Sequence, residues 1–554
     1  MTGKLSLALA QLNPTVGDIS GNIAKLREAR DWAAAQGADL LMTSELYLCA
    51  YPTEDLVLKP SFQDSLRSAL ERLAAETGDG GPALLIGLPW RSEGKLYNAA
   101  VLLDGGRVLG TCFKHDLPNY GPFDEKRVFS QGPLPEPLLF RGVQLGVMIC
   151  EDMWTPSVAA HLKKQGAEIL LVPNGSPFEL GKTETRRKLA LARVKETGLP
   201  LAYVNQCGGQ DELVFDGASF ALNAKGGLVA SLPAWEEKTA VLQLVKGDIV
   251  SEKRALEIKH SRPADIYRAL TIGLRDYVNK NGFPGVVLGL SGGVDSALAA
   301  SIAVDALGAD RVWGVMLPSP FTSKASVRDA KASAKLLGCK LDEVPIGKAM
   351  KLFDAALQPV LGGLLKGLVC ENIQSRSRGL ILMTISNASG YMVLSTGNKS
   401  EMSVGYTTLY GDMCGGFAVL KDVYKTEIYN IAHWRNTHHP TDALGPKGAV
   451  IPKPVLTKAP TAELHAGQKD QDNLPPYELL DGILECLIER DMGMREIVNK
   501  GYDPAIVARV WGLLDKAEYK RRQAPPGVKI TRRNLSRDRR YPITNKYRER
   551  TSTR

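Results

Sequence analysis

Short apolar runs alternate with amphipathic helical segments in the first half of the chain. The apolar runs predict strands at residues 5–11, 40–43, 83–88, 99–103, 144–150, 169–172 and 202–205. Helical periodicity is found at residues 22–36, 62–77 and 182–197. The strands at 83–88 and 99–103 follow one another without a helix between them. The pattern therefore favours a mixed α/β sandwich over a purely parallel sheet.

The second half has the pattern of a parallel, doubly wound sheet. Its predicted elements are a helix at 264–279, a strand at 286–290, a helix at 297–307 and a strand at 312–317. This strand–helix–strand spacing is typical of a βαβ unit. A charged stretch at 246–262 predicts a linker, so we expect domains at 4–245 and 263–554. Residues 440–476 are rich in Pro, Gly, Lys and Asp and predict a long, mobile loop.

Length and composition exclude several classes of protein. The 554 residues, 44% of them apolar, suit two large domains or a few small ones at roughly 100–200 residues each. No uncharged apolar run approaches the roughly 18 residues of a membrane span. The start of the chain has no cleavage-type site, so we expect a cytoplasmic protein with no membrane partner. The eight cysteines contain no CxxC pair, which supports neither a disulfide framework nor a thiolate zinc site.

The net charge of +9 is concentrated at the C-terminus. Residues 516–554 hold fourteen Lys or Arg against three acidic residues, a local charge of +11, which leaves about −2 for the rest of the chain. Such a tail could bind nucleic acid, a neighbouring subunit or an anionic substrate. Nucleic-acid binding predicts an affinity that falls steeply with salt. The APPG sequence and the tyrosines of residues 523–547 indicate a packed tail instead, so we expect no nucleic-acid partner.

A glycine-rich turn between a predicted strand and helix carries the strongest chemical signal. It reads SGGVDS at residues 291–296. Its glycines permit a tight turn that presents several N–H groups to an anion, and the following helix adds its positive N-terminal end. Asp295 suits a phosphate site only if a cation lies between them, so we predict that Asp295 binds Mg²⁺. The residues expected to contact the nucleotide are Leu290, Ser291, Gly292, Gly293, Val294, Asp295 and Ser296.

This loop resembles that of the N-type ATP pyrophosphatases, which cleave ATP between its α and β phosphates and adenylate a substrate. The sequence LSTGNKSEMSVG at residues 394–405 resembles the NAD synthetases of that superfamily, a likeness that runs from about residue 263 to the C-terminus. The resemblance implies that Thr396 contacts ATP and that Asn372, Glu401 and Lys520 contact deamido-NAD, with Glu401 as a second metal ligand. Without the phosphate loop, residues 396–401 could equally be an ordinary turn and helix cap.

Three polar residues lie near the ends of apolar runs in the first half. They are Glu45, Lys114 and Cys150. A carboxylate, an ammonium and a thiol can form a nucleophilic site, in which the carboxylate accepts the thiol proton and the ammonium supports the developing oxyanion. A cysteine that ends an apolar strand is more often a buried core residue, and Cys207 is a competitor of that kind.

These segments resemble the nitrilase-type carbon–nitrogen hydrolases, whose Glu–Lys–Cys triad hydrolyses amides on an αββα sandwich. The sequence ICEDMW at residues 149–154 resembles the glutaminase domain fused to NAD synthetases. The resemblance implies Glu45 as general base, Lys114 as oxyanion support and Cys150 as nucleophile. It implies a supporting role for Glu125. The glutamine-binding residues that it implies are Tyr120, Glu151, Ser176 and Lys182. The CAYP sequence at 49–52 departs from many relatives, which puts only the local loop shape in doubt.

The two resemblances complete each other. An adenylating domain makes an electrophile but supplies no nitrogen, whereas a glutaminase releases ammonia. Ammonia is mostly protonated at neutral pH, so we expect a sheltered route between the sites.

Together the resemblances imply a homo-oligomeric glutamine-dependent NAD synthetase that acts on deamido-NAD, ATP and L-glutamine with Mg²⁺. The expected fold is an αββα nitrilase-like sandwich followed by a doubly wound α/β ATP pyrophosphatase domain. A rival is another ATP pyrophosphatase amidotransferase, which makes GMP or asparagine. Those enzymes carry different glutaminases, so the Glu45, Lys114 and Cys150 pattern argues against them.

Overall fold

Two units follow one another along the chain, Met1–His260 and Ser261–Arg554. They are seen in a computed structural model that describes residues 4–250, 261–362, 366–465 and 467–547. Within the described residues no helix is both long and apolar enough to cross a membrane.

The first unit is built on two large sheets and a two-stranded ribbon. Its strands are β1 (Leu5–Gln11), β2 (Leu40–Met42), β3 (Ala83–Ser92), β4 (Lys95–Asp104), β5 (Arg107–Phe113), β6 (Leu138–Phe140), β7 (Val143–Val147), β8 (Ile169–Asn174), β9 (Leu201–Asn205), β10 (Cys207–Gln210), β11 (Leu213–Asp216), β12 (Phe220–Leu222), β13 (Leu228–Ser231), β14 (Lys238–Val245) and β15 (Asp248–Val250). One sheet has the order β15-β14-β1-β2-β3-β4-β5 and the other β13-β12-β9-β8-β7-β6, while β10 and β11 pair separately. In each large sheet a central parallel trio, β1-β2-β3 or β7-β8-β9, is flanked by antiparallel strands.

Four α-helices in the described part of this unit cover the outer faces of these sheets. They are α1 (Ile19–Ala35), α2 (Pro60–Glu76), α3 (Pro156–Lys164) and α4 (Lys182–Thr197). Local sequence sets their ends. The Asp18 carboxylate caps α1 by accepting from the Gly21 N–H at 2.8 Å, and Pro60 opens α2 where no amide donor is needed.

Alternation along the strands separates two kinds of core. Leu7 and Leu9 of β1 belong to the core that lies between the two sheets, together with Leu145 and Leu171 of the second sheet. Side chains of the opposite parity pack against α1 and α2 on one outer face and against α3 and α4 on the other. The αββα sandwich expected from the sequence is therefore confirmed.

Several boundaries differ from the expected ones. The run at residues 144–150 is not one strand, because β7 ends at Val147 and Cys150 opens a short 3-10 turn. Residues 248–250, expected in the linker, form β15, which pairs with β14 because Ile249 is buried in the inter-sheet core. Residues 251–260 of the expected linker lie outside the described residues, and Arg262 already belongs to a helix.

The second unit has a five-stranded parallel sheet. Its strands are β16 (Val286–Gly289), β17 (Val312–Met316), β18 (Lys340–Glu343), β19 (Met392–Ser395) and β20 (Phe417–Ala418). Their order is β18-β17-β16-β19-β20, and every pair is parallel. The chain enters at β16, moves outward in one direction and returns to the other side at β19. Loops after β16 and β19 therefore meet where the direction reverses, the usual ligand crevice of such a sheet.

Helices pack around this sheet, and the last of them ends at Arg521. They are α5 (Arg262–Lys280), α6 (Val294–Leu307), α7 (Lys324–Leu337), α8 (Gly347–Leu361), α9 (Leu368–Ser389), α10 (Lys399–Val404), α11 (Lys425–Thr437), α12 (Lys453–Thr457), α13 (Tyr477–Leu484), α14 (Met494–Asn499), α15 (Pro504–Lys516) and α16 (Glu518–Arg521). Helix α12 falls inside the segment 440–476 that was expected to be a loop throughout.

The part of the basic tail from residue 516 to residue 539 packs largely against its own unit. Arg521 and Lys529 are buried and pair with Glu518 and Asp538, at 2.7 and 2.6 Å. Arg539 is also buried and lies 3.1 Å from Glu518. Glu518 and Asp538 are already counted in the local charge of +11, but Arg533 lies 3.0 Å from Asp491 and Arg539 lies 3.7 Å from Asp515, two carboxylates outside the tail. The charge that the tail presents to a polyanion is therefore lower than +11.

Candidate active sites

A buried lysine lies between two carboxylates in the first unit. Lys114 follows β5, and its Nζ lies 2.6 Å from Glu45 Oε1 and 2.8 Å from Glu125 Oε1. Glu45 follows β2, and its Oε1 also accepts from Asn98 Nδ2 at 2.7 Å. Its Oε2 accepts from the Gly175 N–H at 2.8 Å. The side chains of Glu45 and Lys114 are fully shielded from solvent.

Burial disfavours the charged form of each side chain in this cluster, and the attraction between opposite charges offsets that cost. Burial lowers the pKa of Lys114, but Glu125 and Glu45 outweigh it and hold that pKa well above its usual value. Burial raises the pKa of Glu125 to about 7, although Lys114 works in the opposite direction. Glu125 also accepts from the Tyr51 hydroxyl at 2.8 Å. The ammonium is thus kept charged and held in one place.

The thiol of Cys150 belongs to the same cluster. Cys150 is buried, three residues beyond β7, and its backbone takes a left-handed φ of 47°. Burial raises the pKa of the thiol well above its usual value; Glu45 raises it further and Lys114 lowers it. The three residues predicted from the sequence are therefore close enough for their charges to act on one another. Cys207, the competitor, lies in β10, and its N–H donates to Leu12 O at 3.0 Å.

The predicted glutamine-binding residues fall into two groups. The Tyr120 hydroxyl, on a half-exposed side chain, donates to Glu151 at 3.0 Å. Lys182 Nζ lies 5.4 Å from the centre of the Phe123 ring, and its charge lowers the pKa of Glu151, which burial raises. Ser176 is buried instead. Its Oγ accepts from Arg186 Nε at 3.0 Å, and its N–H donates to Asn205 Oδ1 at 2.9 Å.

A cavity of about 310 Å³ opens in the second unit, where the loops after β16 and β19 meet. The predicted nucleotide contacts that line it are Leu290, Ser291, Gly292, Gly293, Val294, Asp295, Ser296 and Thr396. Glu401 of α10 lines it as well. The structure therefore brings the two sequence motifs, 103 residues apart at Asp295 and Asn398, to one place, where Asn398 Nδ2 donates to Asp295 Oδ1 at 2.9 Å.

Close packing shapes the phosphate-type loop. Gly292 has a φ of +83°, and a Cβ on it would lie 2.2 Å from the backbone oxygen of Ser326. The hydroxyls of Ser291 and Ser296 lie 3.0 Å apart. Gly293 precedes α6, whose first turn carries Asp295. The loop thus presents N–H groups and a helix N-terminus to the cavity, which suits a phosphate.

A second lysine between carboxylates lies at this cavity. Lys425 Nζ bonds to Asp295 Oδ2 and lies 3.2 Å from Glu401 Oε1. Burial raises the pKa of Glu401 to about 7, while Lys425 acts to lower it. Two converging carboxylates with all-oxygen donors fit Mg²⁺, which is held in proteins by one or two carboxylates plus substrate phosphates. Within the described residues no group of three or more His, Cys, Asp or Glu forms a metal site.

Two predicted substrate contacts do not line the cavity. Asn372 Oδ1 accepts from the Thr408 hydroxyl at 3.0 Å. Lys520 Nζ donates to the backbone oxygens of Gly405 and Thr407, at 2.8 and 2.6 Å, and Thr407 is a lining residue. Of the two arginines near Asn372 in the sequence, Arg378 lines the cavity, while Arg376 Nε donates to Leu409 O.

Several site residues were missed by the sequence analysis. They are Tyr51, Asn98 and Arg186 in the first unit and Ser326, Lys425, Lys458, Glu463 and Asp470 in the second. The last three come from the segment 440–476, whose length and polarity pointed to function but to no particular residue. Glu463 accepts from the hydroxyls of Ser323 and Ser326, at 2.9 and 2.8 Å. These contacts join residues that are far apart in the sequence, so they become visible only in the folded structure.

Comparison with known proteins agrees with this arrangement. The chain matches the family Carbon-nitrogen hydrolase over residues 6–254 and the family NAD synthase over residues 266–524. It is thus a two-part enzyme with a carbon–nitrogen hydrolase unit and an NAD synthase unit.

Full-length relatives narrow this class. The chain is 49% identical to the glutamine-dependent NAD(+) synthetase of Rhodobacter capsulatus, over 99% of this chain and 100% of that protein. It is 44% identical to the enzyme of that name from Acinetobacter baylyi, over 98% of each. The solved glutamine-dependent NAD+ synthetase of Acinetobacter baumannii, in complex with ADP, is similar with a TM-score of 0.78 at 41% identity, over 98% of this chain and 99% of that one. The chain belongs to the family of glutamine-dependent NAD(+) synthetases.

Proposed function

We propose that this chain makes NAD from deamido-NAD by ATP-dependent amidation, with glutamine as the nitrogen donor. The observation that carries the proposal is the presence in one chain of a buried Glu–Lys–Cys cluster and, in the other unit, a cavity that joins a phosphate-type loop to two carboxylates. The first suits amide hydrolysis and the second suits nucleotide chemistry. Membership of the family supports both assignments.

In the first unit, Cys150 attacks the side-chain amide of glutamine after Glu45 takes its proton. Oε1 of Glu45 already accepts from Lys114 and Asn98, whereas Oε2 accepts one hydrogen bond from the described residues, that of the Gly175 N–H. The lone pair that remains on Oε2 is therefore the one that takes the proton. Lys114 stabilises the oxyanion of the tetrahedral intermediate. Glu45 returns this proton to the amide nitrogen, ammonia departs, and water hydrolyses the thioester that remains to glutamate and the Cys150 thiol.

Charges near the thiol suit a zwitterionic amino acid. Glu151 can accept from the α-ammonium of glutamine and Lys182 can pair with its α-carboxylate, while Tyr120 orients Glu151. Ser176 lies on the strand-end loop after β8, held by Arg186 and Asn205. We assign these four residues to glutamine binding, with Glu125 as the partner that keeps Lys114 in place.

In the second unit, the 291–296 loop holds the phosphates of ATP, and Thr396 contacts the nucleotide. Asp295 and Glu401 would hold Mg²⁺, which when bound neutralises charge on the pyrophosphate leaving group. The carboxylate of deamido-NAD attacks the α-phosphate, and ammonia then displaces AMP from the adenylate. Asn372, Glu401 and Lys520 are assigned to deamido-NAD. For Lys520 this means a role through the segment 405–407 that it braces.

Three further expectations belong to the proposal. Ammonia made in the first unit is the nitrogen source of the second, by a route sheltered from protonation. The enzyme works as a homo-oligomer in the cytoplasm. Its partners are small molecules, since Asp491 and Asp515, which lie outside the tail, offset part of the tail's charge by pairing with Arg533 and Arg539.

The nucleophile assignment is tested by Cys150→Ala, with Cys207→Ala as the matched control. Cys150→Ala should abolish NAD formation from glutamine and leave formation from ammonium near the wild-type rate, because only the first unit loses a reacting group. Cys207→Ala should retain both. The measurement is a turnover assay with deamido-NAD, ATP and either nitrogen source, in which NAD and AMP are quantified. Glutamine use by folded Cys150→Ala protein would place the nucleophile elsewhere.

A further inference from the structure

A fourth carboxylate in the first unit accepts hydrogen bonds from three backbone N–H groups beside the reacting groups. Asp152 lies two residues beyond Cys150 and is completely buried. Its Oδ2 accepts from the Ile149 N–H at 2.9 Å. Its Oδ1 accepts from the N–H groups of His115 and Asp116, at 3.0 and 2.7 Å.

These three bonds connect two segments that are far apart in the sequence. Ile149 precedes the nucleophile Cys150, while His115 directly follows Lys114. One side chain therefore ties the turn that carries the thiol to the segment that carries the ammonium. The Asp152 N–H closes the same turn by donating to Ile149 O at 3.1 Å.

The turn needs such a restraint. Cys150 has a φ of 47°, a left-handed conformation that costs a non-glycine residue roughly 1–2 kcal/mol. Strained residues persist where the surrounding structure imposes them. Burial raises the pKa of Asp152 to about 7, although the backbone bonds from Asp116 and Ile149 act to lower it. The fold thus keeps a carboxylate at this position in spite of the cost of burying it.

We propose that Asp152 is a positioning residue of the glutaminase, which sets the separation of Cys150 and Lys114 by bonding to the backbone beside each of them. This inference rests on the proposed hydrolysis of glutamine. Asp152 acts through the backbone and touches neither substrate nor the reacting atoms. A carboxylate is required because all three partners are N–H donors, so both of its oxygens must accept.

Asp152→Asn is the informative variant, since it keeps volume and shape. When its oxygen faces His115 and Asp116, its NH₂ group faces the Ile149 N–H, and two donors oppose each other. The link between the two segments is then broken on one side. Misplacement of a reacting group by about 1 Å can cost on the order of a hundredfold in rate. The kcat for glutamine hydrolysis should fall at least about tenfold, with the KM for glutamine changed less than about twofold.

The experiment compares glutamine hydrolysis, glutamine-driven synthesis and ammonium-driven synthesis in the full-length enzyme at pH 8. Ammonium-driven synthesis by Asp152→Asn should match wild type. Alkylation of Cys150 by iodoacetamide, followed by peptide mass spectrometry, should slow at least about threefold, because a displaced Lys114 no longer favours the thiolate. Asp116→Asn is the control: its carboxylate accepts from the Thr155 hydroxyl at 2.9 Å, and its rates should be those of wild type.

Several results would overturn the proposal. A wild-type kcat for Asp152→Asn would show that Asp152 does not position the reacting groups. A raised KM with an unchanged kcat would indicate that Asp152 contacts glutamine directly. If Asp152→Asn is too unstable to assay, Asp152→Glu keeps the charge but is one methylene longer and pushes the two segments apart. A tenfold loss of kcat there supports positioning, and a wild-type kcat refutes it. An active Cys150→Ala enzyme would instead refute the proposed glutaminase, whereas an active Asp152→Asn beside an inactive Cys150→Ala refutes only the role of Asp152.

Discussion

Replacement of Gly292 by alanine tests whether the phosphate-type loop must lie where it does. The added Cβ would lie 2.2 Å from the Ser326 oxygen, 2.9 Å from its carbonyl carbon and 3.0 Å from its Cα. All three are backbone atoms in the first turn of α7, so no side chain can swing away to make room. The loop itself must move, or α7 must.

The size of the effect follows from two terms. A carbon–oxygen contact of ordinary length is about 3.3 Å, so the two segments must separate by roughly 1 Å. The φ of +83° adds a strain of roughly 1–2 kcal/mol for a residue with a Cβ. Displacement of a binding loop by about 1 Å can lower a rate on the order of a hundredfold. We expect NAD formation by Gly292→Ala to fall about a hundredfold with either nitrogen source.

Gly338→Ala separates strain from displacement. Gly338 ends α7 with a φ of +71°, and a Cβ there would meet only the Ala309 Cβ, at 3.9 Å. This variant carries the same kind of backbone strain, about 1–2 kcal/mol of unfolding free energy, but moves nothing at the cavity. Its rate of NAD formation should stay within about twofold of wild type.

The assay is ammonium-driven NAD formation, with glutamine hydrolysis as an internal check on the first unit. Both variants should hydrolyse glutamine. Near-wild-type synthesis by Gly292→Ala would refute the argument that the contact with Ser326 fixes the loop. Equal losses in the two variants would show that strain alone, and not displacement, accounts for the effect.

Two further predictions concern the tail and the buried cluster. Lys520→Ala should raise the KM for deamido-NAD about tenfold or more and leave the KM for glutamine unchanged, because it removes two charge-assisted bonds to the segment 405–407. Lys546→Ala, at an exposed position, is the control. Equal effects of the two substitutions would show that Lys520 contributes only its charge and not a specific contact. Glu125 takes up a proton on folding between its ordinary pKa of 4.5 and its folded pKa of about 7, so its stabilising contribution is lost as the pH rises through that window. Glu125→Gln should therefore make the slope of unfolding free energy against pH more positive there by up to about 1.4 kcal/mol per pH unit, and an unchanged slope in urea titrations would contradict this.

Strands with strong alternation or continuous apolar character were predictable from the sequence, and weaker ones were not. The β1 sequence LSLALAQ is buried at every position and was predicted to its last residue. By contrast, β5 has only one fully buried residue, Cys112, and β13 has none. These flanking strands are held by ladder hydrogen bonds to a neighbour rather than by their own apolar pattern. A search for alternating apolar residues therefore finds buried strands such as β1 and misses flanking strands such as β5 and β13.

The candidate sites divide in the same way. The glycines, hydroxyls and helix start of the SGGVDS loop are contiguous in the sequence, so the sequence alone was enough to predict the loop. The motif singles out Cys150 as a candidate, but the predicted end of β7 lies three residues too late because the apolar run continues into the turn. Asn98 and Lys425 act through partners 53 and 130 residues away. A lone asparagine in a strand or lysine at a helix start carries no signal until the fold pairs it.

Both units contain a lysine between two carboxyl groups, but the two clusters differ in how far solvent reaches the carboxyl groups. Each unit buries one lysine against two carboxyl groups, Lys114 in the first unit and Lys425 in the second. This leaves one excess negative charge when both carboxyl groups are ionised, which is the case above the pKa of about 7 of Glu125 and Glu401. In the first cluster the Glu45 carboxylate is fully shielded, so no water or ion competes for its remaining lone pair, and it is suited to take a proton from a thiol. In the second, the Asp295 and Glu401 side chains are 19% and 18% exposed and border the cavity. Carboxylates within reach of solvent can exchange an ammonium partner for a hydrated cation, so the excess charge there suits the proposed Mg²⁺–nucleotide complex better than it suits proton transfer. Opening the first cluster to water should therefore weaken its basic function, whereas closing the second would exclude its ligand.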